Sequence, residues 1–78
     1  MKIQYANLSG DSGISNYEIV GAAIIIEFVD ASHRYVYNNS KPGYEHVQAM
    51  IHLAKQGKGL ATYISQHVGS TYARKISI

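Results

Sequence analysis

"AIIIEFVDASHRYVYN", residues 23–38, decides the fold. Isoleucine, phenylalanine and valine dominate residues 23–29, and such β-branched and aromatic side chains suit a pleated surface. Side chains alternate along a strand, so Ile24, Ile26 and Phe28 line one face while Ile25, Glu27 and Val29 line the other. One face is dry and the other half wet, which predicts a central strand of an antiparallel sheet. "DASH", residues 30–33, turns the chain, and "RYVYN" returns beside it.

Loop length sets where Tyr35 and Tyr37 face, because residues directly opposed in a hairpin share a face. A loop of residues 30–33, or of 31 and 32 alone, places Tyr35 opposite Phe28, Tyr37 opposite Ile26, Val36 opposite Glu27 and Arg34 opposite Val29. A three- or five-residue loop instead puts both tyrosines with Ile25, Glu27 and Val29. We adopt the first register because it separates apolar from polar side chains more cleanly. In it the tyrosines complete the core with their hydroxyls near the rim. In the second they form an exposed platform of the kind on which RNA bases stack.

Upstream, "KIQYAN" alternates well enough for a short strand with Ile3 and Tyr5 on one side, "LSGDSG" breaks it, and "ISNYEIV" is a second extended piece running to Gly21. From Pro42 the apolar period changes from two to about 3.6. Tyr44, Val47, Met50, Ile51 and Ala54 form an apolar stripe, opposite a wet stripe of Glu45, Gln48, His52 and Lys55. Proline at the start and Gly57 past the end punctuate that helix. Leu60, Tyr63, Ile64 and Val68 mark a second, shorter helix closed by Gly69, and the tail "YARKISI" supplies a last strand whose natural partner is the N-terminal one. The expected fold is a single α+β domain over residues 1–78: an antiparallel sheet of three to five strands with two α-helices packed on one face.

The 78 residues contain no cysteine, which excludes disulfide staples, thiolate metal sites and thiol nucleophiles. Hydrophobic residues make up 46% and charged ones 15%, far from the composition that keeps chains disordered. The longest apolar run, residues 20–26, is too short to span a bilayer, and the first ten residues lack a signal-peptide core, so a cytoplasmic protein without membrane contact is expected. Charge divides unevenly. Residues 1–39 carry Lys2 and Arg34 against four carboxylates, whereas residues 40–78 carry Lys41, Lys55, Lys58, Arg74 and Lys75 against Glu45 alone.

Several short signals follow one another in order: "SGI" at 12–14 with Tyr17, the strand "IIIEF", "YVY", a helix opening near Pro42, Ala54 and Gly57, then "YISQHVGSTY" with Tyr63, Ile64 and Tyr72. From about Ser12 to Tyr72 this order resembles the KTSC domain, a short module found at the C-terminus of some lysyl-tRNA synthetases and as free-standing bacterial proteins. No activity is established for such a domain; its attachment to a synthetase implies RNA as the ligand to expect.

Chemistry is sparse among the remaining motifs. "QGKGLATY" sets Lys58 between glycines ahead of a helix, where backbone N–H groups can hold a phosphate; a phosphate-binding loop needs a longer glycine pattern, so a flexible joint between helices is the preferred reading. Arg34, Lys55, Lys58, Arg74 and Lys75 are the candidate nucleic-acid-binding residues, a discontinuous basic patch for backbone contacts, weighed against ordinary solubilising charge. Tyr63 and Tyr72 are candidate stacking neighbours, Tyr63 fitting a helix core better. His46 and His52 are six residues apart and so face different ways on a helix, not as a chelating i, i+4 pair. Both read as exposed helix histidines, while His33 in the turn and His67 near the second helix end read as structural. No catalytic residues, cofactor or metal follow. The preferred function is therefore a small non-catalytic module that binds RNA through its basic C-terminal half. The alternative is a protein-interaction or self-association module, a homodimer among the forms it allows, using the apolar strip of Ile25, Val29 and Val36 that Glu27 and Arg34 interrupt.

Overall fold

The computed structural model describes residues 2–8, 10, 13–29 and 33–77. Five strands, β1 (Lys2–Gln4), β2 (Ile14–Val20), β3 (Ala23–Phe28), β4 (His33–Tyr37) and β5 (Arg74–Ser77), form one antiparallel sheet in the order β1-β2-β3-β4-β5. Helix α1 (Tyr44–Gln56) and the short α2 (Leu60–Tyr63), which runs on into a π-helical segment (Ile64–Val68), cover one face. The fold is α+β, as the pattern of the sequence requires. Parts of "LSGDSG" and "DASH", namely residues 9, 11, 12 and 30–32, lie outside the described residues.

Ile24 pairs with Tyr37, Ile25 with Val36, Ile26 with Tyr35 and Glu27 with Arg34. The expected pairing is thus displaced by two residues: Tyr35 faces Ile26 rather than Phe28, and Arg34 faces Glu27 rather than Val29. Side chains repeat every two residues, so a displacement of two leaves every residue on its expected face. Tyr35 and Tyr37 lie on the helix-covered face with Ile24 and Ile26, and Tyr37 is buried.

Strand β2 reaches the same face by a bulge. Ile14 and Tyr17 are both buried although three residues apart, which simple alternation forbids. The register shifts between Ile14 and Asn16, so Ser15 is the extra residue, and its hydroxyl donates to the Glu27 carbonyl at 3.1 Å.

Helix α1 buries Val47, Met50 and Ala54 against β3, while Glu45, Gln48, His52 and Lys55 are exposed, the wet stripe that the period of the sequence gives. Tyr44 departs from its expected place in the apolar stripe. It is the first helical residue and stands 60% exposed. The link into this helix is organised by Asn38, whose side-chain carbonyl accepts from the N–H groups of Ser40 and Lys41, both at 3.0 Å.

Gly57 ends α1 in the left-handed conformation (φ 81°), its N–H donating to the carbonyls of Leu53 and Ala54. A side chain there would put a Cβ 2.7 Å from that of Ala6, so glycine is required for contact as well as conformation. Leu60, Ile64 and Val68, all buried, recur every four residues; on an α-helix that spacing drifts around the axis, and the wider i→i+5 turn of the π segment keeps them in line.

The tail strand does not pair with the N-terminal one. β5 pairs with β4 and β1 with β2, which puts the two at opposite edges, about four strand spacings or ~19 Å apart.

Candidate functional site

The face of the sheet away from the helices carries two rows across the strands, Lys2, Glu18, Ile25, Val36, Arg74 and Gln4, Asn16, Glu27, Arg34, Ile76. Two ion pairs run diagonally over it: Lys2 Nζ to Glu27 Oε1 at 3.1 Å, and Arg34 Nη2 to Glu18 Oε1 at 2.9 Å. Asn16 donates to the other side of the cluster, reaching Glu27 Oε1 at 3.3 Å. The Lys2 hydrogen bond, outweighing partial desolvation, and then the charges of Lys2 and Arg34 hold the Glu27 carboxyl below the usual carboxylate range. Among the described residues, then, each of these two carboxylates has a cation of its own, Glu27 with Lys2 and Glu18 with Arg34.

The five basic residues singled out from the sequence are distributed rather than gathered. Arg34 and Arg74 lie on the open face, Arg34 engaged with Glu18. Lys75 pairs with Tyr35 and projects on the helix side. Lys55 and Lys58 flank Gly57, whose carbonyl accepts from Leu8 N–H at 2.7 Å just beyond β1, at the far edge from β5. Ahead of α2, the Leu60 N–H already donates to the buried Tyr5 hydroxyl at 3.4 Å, which leaves the "QGKG" turn one backbone donor fewer for an anion.

Concave chemistry is found on the helix side near β5. A cleft of about 370 Å³ is lined by Phe28 of β3, Tyr35 and Tyr37 of β4, Ile64 of the π segment, and Gly69, Ser70 and Tyr72 of the connection to β5. Its rings are ordered against one another: Phe28 and Tyr35 edge to face at 5.6 Å between centroids, Tyr35 and Tyr72 tilted at 4.9 Å, Tyr37 and Tyr72 edge to face at 6.4 Å. The Lys75 ammonium stands 6.0 Å from the Tyr35 centroid, within cation–π range, and brings a positive charge to the rim. Burial, and after it the neighbouring Tyr35 and Tyr72 phenols, pushes the Tyr37 hydroxyl up to about 12, so it is a neutral donor at every physiological pH.

Of these residues the sequence marks Tyr35, Tyr37, Tyr72 and Lys75 but not as one site; Phe28, Ile64 and Gly69 are marked for the fold alone, and Ser70 only as part of "YISQHVGSTY". The usable signal was the aromatic pair Tyr35 and Tyr37 together with Tyr72 and Lys75 beside the closing glycine of the second helix. His46 also differs from its expected exposure: it is half-buried, shares a 2.8 Å hydrogen bond between Nδ1 and the Tyr63 hydroxyl, and Tyr63 in turn packs on His67 at 4.7 Å. Among the described residues no three or more acidic, histidine or cysteine side chains gather as a metal site would need, and no helix is long and apolar enough to cross a membrane. No family model, curated protein or solved structure matches the chain.

Proposed function

We propose that the protein is a small non-catalytic module that binds single-stranded RNA, with the aromatic cleft between β4 and the π segment as its centre and the β5 strand as its basic flank. The carrying observation is that Tyr35 and Tyr72 lie 4.9 Å apart with Lys75 over the same Tyr35 ring. Aromatic faces that accept bases, beside a cation that accepts phosphate, are the two components of single-strand binding. The order of motifs that resembles the KTSC domain supports the same reading. Of the basic residues, Lys75 has the direct part and Arg74, next along the strand, extends the positive edge; Lys55, Lys58 and Arg34 add only to the general field.

Titration of labelled single-stranded and duplex RNA at low and moderate salt tests this, with a mass measurement of the free protein alongside. Binding of the single strand that weakens steeply with salt is the expected result. Absence of binding at low salt, with a stable dimer in the mass measurement, overturns it in favour of self-association through the open sheet face. What favours that second reading is the half-exposed Ile25, Val36 and Ile76 around the ion pairs.

A further inference from the structure

Tyr37 is only 2% exposed, yet no hydrogen bond to its hydroxyl is formed by the described residues. None of their buried side-chain oxygens or nitrogens is sealed from solvent without a partner, so the Tyr37 hydroxyl retains a small accessible area, and its side chain lines the cleft. Tyr37 thus brings a neutral donor and acceptor to a cleft that the rings of Phe28, Tyr35 and Tyr72 also line. Ordinary core tyrosines have their hydroxyl satisfied within the protein. Here the unpaired group, the ring walls and the cation at the rim converge on one small volume, at the low end of the range for small-molecule pockets. The ligand that meets all three is flat, has a polar edge and carries negative charge on one side.

We infer that the cleft takes one unpaired nucleobase, which packs against Tyr35 and Tyr72, presents its polar edge to the Tyr37 hydroxyl and leaves its phosphate at Lys75. This rests on the RNA reading above and adds to it the mode of recognition: a base held edge-on by a hydrogen bond, beyond stacking and charge.

Tyr37→Phe isolates the hydroxyl, since it keeps the ring and removes one oxygen that has no hydrogen-bond partner among the described residues. Its affinity is measured against wild type for three fluorescein-labelled probes at one salt concentration: a single-stranded RNA octamer, the same octamer as a duplex, and an octamer of abasic ribose phosphates. Thermal unfolding of both proteins is recorded in parallel. The expected result is a loss of roughly two- to tenfold for the single strand only, unchanged binding of the other two probes, and a melting temperature equal to or above that of wild type. Equal affinity of wild type and Tyr37→Phe for the single strand overturns the base pocket, as does an abasic octamer bound as tightly as the natural one; in both cases RNA binding itself still stands. Failure of wild type to bind any of the probes overturns the RNA reading and the pocket with it. Should Tyr37→Phe melt well below wild type, Tyr72→Leu, altered at another residue that lines the cleft, gives the same discrimination between base-bearing and abasic strands.

Discussion

Tyr35 and Lys75 are cross-strand partners at the edge of the sheet, the lysine ammonium 6.0 Å from the centre of the tyrosine ring. One side chain supplies an aromatic face and the other a charge for the same ligand. Lys58 lies at the opposite edge, in the turn that packs beside the segment following β1. Lys75→Ala is therefore expected to weaken single-stranded RNA binding several-fold and to reduce the salt slope by about 0.7, the loss of one phosphate contact. Lys58→Ala should leave both nearly unchanged. Equal effects of the two substitutions, read from anisotropy titrations over a salt series, would mean that the field of the whole chain acts rather than the cleft.

Glu27 provides a pH dependence of known sign. Its folded-state pKa is lowered, chiefly by Lys2, relative to about 4.3 in an unfolded chain. The unfolded state therefore takes up the proton first, and the contribution to stability is present above that value and is lost as pH falls through the folded pKa. Melting temperature should decline on acidification below about pH 4.3, and Glu27→Gln should flatten that part of the curve. A decline of the same steepness in the variant would assign the effect to other carboxylates.

Gly57 and Gly21 both adopt positive φ, 81° and 58°, but only Gly57 has a neighbour where a Cβ would stand. Gly21→Ala should cost about 1–2 kcal/mol for the left-handed backbone alone. Gly57→Ala adds the collision with Ala6 and should cost about 1–3 kcal/mol more. Denaturant unfolding of the two variants gives the difference directly.

The exposure of Tyr44 is tested in the same way. Tyr44→Ala should change stability by no more than about 0.5 kcal/mol, whereas Met50→Ala, further along the same helix and fully buried, should cost about 2–5 kcal/mol. A large loss at Tyr44 would place its ring in the core after all.

The division of the sheet into faces was legible in residues 23–38 because two-residue alternation is insensitive to an even displacement of the hairpin; the pairing itself was not, since it depends on a turn whose length the alternation does not encode. Ser15 looks like an ordinary strand residue, and the bulge shows only in the three-residue interval between two buried positions, Ile14 and Tyr17. The wet side of α1 was fully readable. Its first residue was not, because helical periodicity says nothing about where the surface beneath a helix ends. The basic residues, Arg34 and four from the C-terminal half, were read as one discontinuous patch. Consecutive residues of β5 point to opposite faces, however, and the turn with Lys58 packs at the other edge of the sheet, so proximity in sequence did not become proximity in space. The cleft escaped notice because its walls come from β3, β4, the π segment and the link to β5, which only the closed fold assembles.

Lys2, Glu18, Glu27 and Arg34 come from four successive strands, and each ion pair reaches across an intervening strand to the next. Pairs of this kind, half-buried and still open to solvent, add only modestly to stability. Their geometry nevertheless acts as a check on assembly: if β2, β3 or β4 slipped by a single residue, its charge would be carried to the helix side, where Ile24, Ile26 and Met50 are buried, and its ion pair would be broken. In a chain with five short strands and many interchangeable apolar residues, these four charges penalise misaligned sheets far more than they reward the correct one.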